Sequence, residues 1–385
     1  MIVKDEAPVI RRCLESVRPL IDTWVILDTG STDGTQDIVR EVYGDLPGKL
    51  HESDWKGYDR SRTEAIDLAR DKADYLLFMD ADDMMETEPG FRMPPLTHDA
   101  YRVALRHGPM VHWRPALVST RLPWRYVGVL HEYIECGQRF SLGTLEGANI
   151  RTLSGGARLQ KEGQRQKYLR DAATLQKALV DEPQNSRHVF YLAQSWRDAG
   201  ELEKAMAAYD RRTVMGGFAE EVFCAHLNAA RLAARLERPQ AEVIDRFLRA
   251  HESRPSRAEA LGELARLCRQ QKRWSLAYLF AGQAARISQP KDILFVEFGW
   301  YEWQALDELG ISAYWVGNYE ESARCSERLL KEGRPPAEQR DRIERNLAFA
   351  RDKLRVKELV MASVSAPSGR TQQRGSKSAI RHGSP

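Results

Sequence analysis

Two short apolar runs, each ending in aspartate, most constrain what this chain can fold into. Trp24–Leu27 and Tyr75–Met79 are continuous apolar segments of the length of a buried strand, and Asp28 and Asp80 follow them directly. A helical pattern lies between them at 60–70. Alternation of strands with helices predicts parallel βαβ units, whose ligands bind beyond the carboxyl ends of the strands. We therefore expect both aspartates at a binding site.

Composition and charge are those of an ordinary soluble globular protein. The 385 residues are enough for two domains, and 58 basic against 55 acidic residues give a net charge of +3. A charge so close to balance indicates no nucleic-acid partner. No apolar stretch reaches the ~18 residues that a membrane helix needs, and charges at 4–6 interrupt any leader-like start. We expect a cytoplasmic location without integral membrane association, and five scattered cysteines that stay reduced.

The pattern changes to helical repeats beyond about residue 165. Apolar residues then recur at i, i+3, i+4 and i+7, and three similar segments place Leu202, Trp274 and Tyr319 at equivalent positions. The spacing between the first two is close to two units of the ~34-residue tetratricopeptide period. An insertion at 288–298 lengthens the next interval. Since one helical pair cannot bury its apolar face alone, the repeats are expected to stack into a solenoid.

These patterns predict two folded domains and a tail. The first, 1–160, has the α/β pattern, and the second, 165–358, has the helical repeats, with a connecting segment at 154–163. The last residues, 362–385, are a basic stretch rich in Ser, Gly, Arg and Gln without apolar periodicity, and we expect them to be disordered.

The segment Asp28–Thr35 joins the first apolar strand to a helix. Gly30 and Gly34 permit tight backbone turns there, and the Ser, Thr and Asp side chains between them can cap the helix that follows. Taken alone, the segment is equally compatible with a well-formed strand–helix turn. Asp28, however, stands at the tip of an apolar strand, where a carboxylate can accept hydrogen bonds from a base or a ribose.

Three carboxylates, Asp80, Asp82 and Asp83, follow the second apolar strand. Such a cluster repels itself unless a cation or several hydrogen-bond donors neutralise it. Carboxylate oxygens are the ligands that Mg²⁺ and Mn²⁺ prefer, and these ions also bridge to phosphates. Acidic turns are common, but this one directly follows an apolar strand and lies downstream of the Asp28–Thr35 loop. That combination favours a metal or ribose site.

Together these segments resemble the three N-terminal motifs of the family 2 glycosyltransferases of the GT-A fold. The motifs stand in the family's order at 1–6, 24–35 and 78–83. The segments at 187–197 and 216–223 look typical of the branch that fuses this domain to tetratricopeptide units. The resemblance implies an α/β GT-A domain (Rossmann-like, nucleotide-diphospho-sugar transferase) followed by an all-α tetratricopeptide-repeat solenoid.

The resemblance also implies roles for residues on the donor side of the site. Asp28 would contact the nucleoside of the sugar donor, and Asp54 and Arg62 match the stretch that completes the base and diphosphate pocket. Asp80 and Asp82 would be the DxD pair, with Asp82 the direct ligand of Mn²⁺ or Mg²⁺.

Two departures from the family pattern stand near these residues. Thr63 occupies a position where the family usually has Asn, which affects the local donor contacts. The family normally has several apolar residues before its first motif, whereas this sequence begins at Met1. The first strand is therefore abbreviated here: either the true start lies upstream, or the strand is short and the domain less stable.

On the acceptor side, His131 and Glu132 match a His-Glu pair usual in this branch. In an inverting reaction a base removes the proton of the acceptor while its hydroxyl or thiol attacks the anomeric carbon. Glu132 is the expected base. His131 is a candidate for a metal or phosphate contact or for a second-choice base. The pair can also be read as two ordinary residues in a strand.

The expected function is that of an inverting, metal-dependent glycosyltransferase that uses a nucleotide-diphosphate sugar, a UDP- or GDP-sugar. The repeats would present a peptide, a protein, a glycan or a lipid-linked sugar as acceptor, or bind a partner protein. The alternative is a tetratricopeptide scaffold or adaptor whose transferase-like domain binds nucleotide sugars without turnover. A nucleotidyltransferase would need a glycine-rich phosphate loop, which 1–6 lacks.

Overall fold

The structure, a computed structural model, describes residues 1–107, 110–153 and 163–365. Its residues form two compact units, one of 1–260 with 289–297 and one of 261–288 with the residues from 298 onward. Most of the predicted connecting segment at 154–163 lies outside the described residues, as do residues 366–385 of the predicted disordered tail. The first four residues of that tail, 362–365, continue the last helix.

A three-stranded parallel sheet positions the first aspartate loop. Its strands are ordered β1-β2-β3, and the register aligns Val3 with Asp28 and Asp28 with Glu52. β2 is the predicted apolar run, and β1 is only two residues long, as expected. The elements of this region are β1 (Ile2–Val3), α1 (Ile10–Val17), β2 (Trp24–Asp28), α2 (Thr35–Tyr43), β3 (Gly48–Glu52) and α3 (Tyr58–Ala69).

The second apolar run begins as β4 but belongs to a different, mixed sheet. β4 pairs antiparallel with β7, and the strand order is β4-β7-β6-β10-β5. The expected parallel βαβ pairing therefore holds for β1, β2 and β3 but not for β4, because β7 supplies its hydrogen bonds. The strands are β4 (Tyr75–Leu77), β5 (Asp83–Thr87), β6 (Ala100–His107), β7 (Met110–Ser119) and β10 (Leu142–Thr152), with a separate antiparallel ribbon of β8 (Arg125–Val127) and β9 (Tyr133–Glu135).

Apolar side chains join the two sheets. Ala81, in the turn after β4, is buried in one cluster with Val3 and Ile26 of the parallel sheet and with Ile10 and Leu14 of α1. α1 presents these residues at helical spacing, which gives it a single buried face. This packing fixes the acidic turn after β4 near the carboxyl end of β2.

The helical region begins with α4, and consecutive helices contact each other from α4 to α8 (164–253) and again from α10 to α13 (274–365). Leu202, Trp274 and Tyr319, the equivalent positions of the sequence repeat, are each the first residue of a helix, which confirms the repeat. The helices of the first unit are α4 (Gln164–Asp181), α5 (Ser186–Asp198), α6 (Leu202–Thr213), α7 (Ala219–Arg235), α8 (Gln240–Ser253) and the start of α9 (Glu259–Gln270).

The second unit continues the helical series. It holds the rest of α9, then α10 (Trp274–Ala284), a π-helical turn (Trp300–Gln304), α11 (Ala305–Trp315), α12 (Tyr319–Glu332) and α13 (Ala337–Ser365). Across the described part of both units, no helix is long and apolar enough to cross a membrane. The five cysteines are all buried free thiols.

Candidate active site

Asp28 ends β2 in a fully buried position and uses only half of its carboxylate within the protein. Its Oδ1 accepts hydrogen bonds from the backbone N–H groups of Gly30 and Ser31, each at 2.7 Å. Its Oδ2 is buried without a hydrogen-bond partner among the described residues. A buried carboxylate oxygen without a donor is costly, so this atom has the capacity for a further hydrogen bond.

The loop after Asp28 is fastened to the segment after β1. Ser31 Oγ accepts the Asp5 N–H at 2.9 Å, and Asp5 Oδ1 accepts the Thr32 N–H at 2.9 Å. Asp33 Oδ1 accepts the N–H of Thr35, the first residue of α2, at 3.0 Å, but the N-cap of this helix is Gly34 and no side chain caps it, so the capping expected of the Ser, Thr and Asp side chains is not observed. The two N-terminal motifs thus form one hydrogen-bonded rim at the carboxyl edge of the parallel sheet.

Asp80 is held by two arginines in the acidic turn. Its Oδ1 lies 2.5 Å from Arg62 Nη2, and its Oδ2 lies 3.4 Å from Arg114 Nη2. Burial opposes the charge of Asp80, but the two guanidinium groups outweigh it and hold the pKa of this carboxyl well below its usual range. Asp80 is therefore an ionised carboxylate whose two oxygens both face arginines.

Asp82 and Asp83 carry the excess negative charge of the turn. Burial, followed by repulsion from Asp80, raises the pKa of Asp82. The same two causes raise the pKa of Asp83 to about 7, although Arg114 opposes the shift. Arg12 adds a contact here, with Nη2 donating to the carbonyl oxygen of Asp82 at 3.3 Å. The turn has more carboxylates than its arginines neutralise, as the sequence pattern predicted.

Arg62 joins the donor-side and acceptor-side residues through one guanidinium. It projects from α3, and while Nη2 contacts Asp80, Nε lies 2.7 Å from Oε1 of Glu132. The side chains of Arg62 and Glu132 are only 15% and 14% exposed, so solvent screens this pair weakly. The structure therefore brings together Arg62, Asp80 and Glu132, three of the residues selected from sequence.

His131 and Glu132 lie in the loop between β8 and β9, and their side chains have different surroundings. The His131 ring stacks on Tyr191 of α5 at 4.0 Å, and its backbone carbonyl accepts a hydrogen bond from Arg187 Nη2 at 2.9 Å. Burial and the charge of Arg187 lower the pKa of His131 to about 4. The ring is thus neutral at physiological pH and is covered by the first helical repeat.

Asp54 and Thr63, also selected from sequence, flank this core of the site. Asp54 is exposed just after β3, where the N–H of neighbouring Ser53 donates to the Asp28 carbonyl oxygen at 3.0 Å. Thr63 Oγ1 accepts the N–H of Tyr126 at 3.0 Å and so fastens α3 to β8. A threonine at this position has a structural use, while Asp54 remains open to solvent beside Asp28.

The predicted metal-binding trio is not assembled as a ready site. Within the described ranges, no group of three or more His, Cys, Asp or Glu side chains is arranged to hold a metal ion. The His131 ring stacks on Tyr191, and the Asp80 carboxylate contacts two arginines. Of the three predicted ligands, Asp82 therefore has the fewest side-chain contacts within the described protein. The metal role of Asp80, Asp82 and His131 stays a prediction.

Arg114, Arg187 and Tyr191 contact the site residues but were not selected from sequence. Arg114 reaches Asp80 through the pairing of β7 with β4 and β6, and Arg187 and Tyr191 reach His131 from a helix far along the chain. Such contacts depend on long-range pairing that no local motif reports. The only available signal was that 187–197 looked typical of the repeat-bearing branch.

The first 89 residues of the chain are similar to known proteins. Residues 1–89 match the family model for glycosyl transferase family 2. Over 89 residues, 23% of this chain, the sequence is 39% identical to a TPR repeat-containing protein of Synechococcus elongatus and 32% identical to the SPbeta prophage-derived glycosyltransferase SunS of Bacillus subtilis. The matched part spans 21% and 20% of those two relatives, respectively.

The helical region has weaker counterparts among solved structures. A tetratricopeptide repeat protein from Parabacteroides merdae aligns over 52% of this chain and 72% of its own, with 18% identity and a TM-score of 0.35. At that level the likeness adds little, and the repeat assignment rests on the helix pairs and repeat positions described above. Residues 1–89 therefore match glycosyl transferase family 2, and tetratricopeptide-like helical repeats follow in the chain.

Proposed function

We propose that this protein is an inverting, metal-dependent glycosyltransferase that moves a sugar from a nucleotide-diphosphate donor to an acceptor. The unpartnered Oδ2 of buried Asp28 carries the proposal on the donor side. A base N–H or a ribose hydroxyl that donates to this oxygen would satisfy its hydrogen-bonding capacity. A domain that binds no ligand would have no physical reason to bury an unpartnered carboxylate oxygen. Asp54, exposed beside the same strand end, would line the outer wall of the nucleotide pocket.

The arrangement of Glu132 supports it as the base. Glu132 would take the proton of the acceptor hydroxyl or thiol while the oxygen or sulfur bonds to the anomeric carbon. The bond between that carbon and the diphosphate oxygen breaks with its electron pair, and the nucleoside diphosphate leaves. The ion pair with Arg62 holds the Glu132 carboxylate in place. In an in-line displacement the acceptor oxygen or sulfur would attack the face of the anomeric carbon opposite the leaving diphosphate, with Glu132 beside the acceptor.

The acidic turn fits a divalent cation in its chemistry. The pKa of Asp82 is raised by burial and by Asp80, so a nearby cation would relieve repulsion that the arginines leave. Asp82 would hold Mn²⁺ or Mg²⁺, with Asp80 beside it. When bound, such an ion stabilises negative charge on a leaving diphosphate. Arg62 and Arg114 would contribute positive charge to the same region.

The acceptor is proposed to be a peptide or protein segment, with a glycan as the alternative. Support comes from the direct contact between the Glu132 loop and the first helical repeat, through Arg187 and Tyr191. A surface built by repeats suits an extended polymer better than a small molecule.

A donor screen tests the proposal. The full chain is mixed with UDP- and GDP-sugars, with Mn²⁺, Mg²⁺ or a chelator, and released nucleoside diphosphate and thermal stabilisation are measured. The expected result is metal-dependent release or stabilisation with one donor class. Stabilisation by a donor without release, in the presence of candidate acceptors, would favour the scaffold that binds nucleotide sugars without turnover. No response to any nucleotide sugar would reject donor binding altogether.

A further inference from the structure

The insertion in the repeat region forms a segment of irregular backbone on the first unit. We call residues Gln289–Glu297 the strap. They contain no helix or strand, and they belong to the compact unit formed by 1–260. The strap lies against α7, the α8–α9 connection and the first residue of α9. The glycosyltransferase motifs do not account for it.

Buried carboxylates bind the N–H groups of the strap. Oε2 of Glu220, in α7, accepts the N–H of Ile293 at 2.9 Å and that of Leu294 at 2.7 Å. Oε1 of Glu259, which begins α9, accepts the N–H of Glu297 at 3.1 Å. Glu220 is 9% exposed and Glu259 is fully buried. Hydrogen bonds to ionised acceptors in such surroundings are stronger than those between neutral groups.

A buried arginine binds the carbonyl oxygens of the strap. Arg257 is 0% exposed and donates to the carbonyls of Leu294 at 3.2 Å and Phe295 at 2.9 Å. Its guanidinium is held by Glu259 at 2.7 Å and lies over the ring of Phe223, 4.5 Å from the centroid. Arg257 and Glu259 thus hold each other in place through contacts that do not involve the strap.

Three side chains of the strap, those of Asp292, Phe295 and Glu297, contact the surrounding helices. Asp292 pairs with Arg254 at 2.5 Å, and Glu297 pairs with Arg231 at 2.5 Å. The Phe295 ring stacks near a phenylalanine of α5 with centroids 6.4 Å apart. Phe295 and Ile293 are 44% and 51% exposed, and Leu294 and Val296 are half-buried, so no side chain of the apolar run 293–296 is fully buried. Recognition therefore rests mainly on the main chain and on the two acidic residues that flank this run.

This distribution of contacts is that of a polypeptide-binding groove. Recognition through the main chain accepts any extended segment, and side chains at a few positions then select among segments. If the strap left without replacement, Glu220 would lose two N–H donors and Arg257 would lose two carbonyl acceptors. The groove therefore favours exchange of one polypeptide for another over an empty state.

The groove is connected to the candidate active site through neighbouring residues of α5. Phe190 contacts Phe295 of the strap, and the next residue, Tyr191, stacks on His131 at 4.0 Å. The rings of Phe190 and Tyr191 meet edge to face at 5.3 Å. A segment in the groove thus lies within two aromatic contacts of the loop that carries Glu132.

We propose that Glu220, Arg254, Arg257 and Glu259 form a binding groove for an extended polypeptide, and that the strap is its internal occupant. The displacing partner is an extended segment with the chemistry of the strap, an acidic residue at each end of a short apolar run. The strap competes with that partner from within the chain. This inference does not depend on the sugar chemistry proposed above.

The test uses a fluorescein-labelled peptide with the sequence of residues 289–297 and the full-length protein. A tethered segment acts at an effective concentration on the order of millimolar, so the wild-type protein should bind the peptide weakly. The strap variant Asp292→Ala with Glu297→Ala loses two anchors but keeps the groove. Fluorescence anisotropy should show at least about tenfold tighter peptide binding to this variant than to the wild type.

Two controls make the result specific. A peptide with proline at the positions of Ile293 and Leu294 lacks the N–H groups that Glu220 accepts and should bind at least about tenfold more weakly. The variant Asp210→Ala with Glu242→Ala removes two carboxylates that pair with Arg246 instead, and it should behave like the wild type. Equal binding to all three proteins, equal binding of both peptides, or no binding to a folded strap variant would overturn the proposal.

If the strap variant does not fold, hydrogen exchange on the wild-type protein decides. Excess peptide should speed exchange of the strap amides, including those of Ile293, Leu294 and Glu297, because the strap is displaced. The proline-containing peptide should not. Unchanged exchange of these amides at peptide concentrations well above the millimolar range would reject the groove as an exchangeable site.

Discussion

Arg62 and Glu132 form an ion pair in which Nε lies 2.7 Å from Oε1, and both side chains are largely buried. The same guanidinium contacts Asp80 at 2.5 Å. Burial opposes the charge of Arg62, but Asp80, Tyr126 and Glu132 outweigh it and raise the pKa of the guanidinium. One cation therefore holds the acidic turn and the loop after β8 in a fixed relation.

Removal of this cation should destabilise the protein. Arg62→Met leaves the largely buried Glu132 without its arginine and Asp80 with Arg114 alone, and we expect a loss of about 3 kcal/mol in the free energy of unfolding. Urea denaturation followed by circular dichroism measures it. Arg18→Met, which removes a solvent-exposed pair with Asp45, is the matched control and should cost less than about 1 kcal/mol. If Arg62→Met lost no more free energy of unfolding than the small amount expected for Arg18→Met, the Arg62 contacts would not stabilise the protein as argued.

Glu132→Gln should abolish most sugar transfer while the fold is kept. An amide of the same shape retains the position but cannot take the acceptor proton, and loss of a general base typically costs about 10²- to 10⁴-fold in rate. Turnover is followed by release of nucleoside diphosphate with the donor found in the screen. Glu135→Gln, in β9 and paired with exposed Arg125, should keep full activity. A wild-type rate in Glu132→Gln would remove Glu132 from the reaction.

Asp28→Asn should weaken donor binding without unfolding the loop. The amide oxygen can still accept the N–H groups of Gly30 and Ser31, but an NH₂ group replaces the unpartnered Oδ2. Loss of one charge-assisted hydrogen bond predicts a rise in the dissociation constant of about 10- to 100-fold. Isothermal titration with the nucleoside diphosphate measures this, and Asp67→Asn on the exposed face of α3 should leave it unchanged. Unaltered affinity in Asp28→Asn would place the nucleoside elsewhere.

Asp82→Ala should abolish turnover and leave the protein at least as stable as the wild type. The pKa of Asp82 is raised by burial and by Asp80, which shows that its charge is disfavoured in the folded protein. Thermal melting with a chelator should therefore give an unchanged or higher midpoint, and stabilisation by Mn²⁺ or Mg²⁺ should be lost. Activity retained in Asp82→Ala would remove this residue from the metal site. Asp67→Ala serves as control for loss of a surface carboxylate.

The contribution of the strap to the stability of the protein should depend on pH through Asp292. The bond from Arg254 lowers the pKa of this carboxyl, with burial opposing and Arg257 assisting. A carboxyl with a depressed folded-state pKa contributes stability above its unfolded value of about 3.9, and that contribution is lost as the pH falls through the lower folded value. The melting temperature of Asp292→Asn should thus fall below that of the wild type at pH 7.

The difference between Asp292→Asn and the wild type should begin to narrow below about pH 4, where the unfolded wild-type carboxyl becomes protonated, and should disappear only below the depressed pKa of the folded state. Differential scanning fluorimetry between pH 3 and 7 measures both curves. Asp210→Asn changes a more exposed pair with Arg246 and should shift the midpoint little at any pH. A difference for Asp292→Asn that is constant with pH would mean that its charge is not what holds the strap.

Sequence reasoning succeeded where structure is local. The apolar run that ends at Asp28 became β2, and the first residues of α6, α10 and α12 matched the repeat because helix starts are encoded within a few residues. It failed for the pairing of β4, since that depends on a strand more than thirty residues later. Arg114 was missed for the same reason.

The residues around His131 show a second limit. His131 was selected from its neighbour Glu132, but the stacking partner Tyr191 and the donor Arg187 come from a helix that the sequence assigned to a separate domain. Such contacts arise from how a loop and a helix meet in space, and local patterns do not encode them. The family match at 1–89 ends before any of these residues.

The stack of His131 on Tyr191 also determines where the chain can be cut. A fragment that stops near residue 160 would strip the ring and carbonyl of His131 of both their helical partners and expose apolar surface beside Glu132. A fragment that ends at 260 keeps them and coincides with the end of the longer stretch of the first compact unit. A chimera that exchanges the N-terminal domain between relatives should therefore include α4 and α5, the first two helices of the helical region, together with that domain.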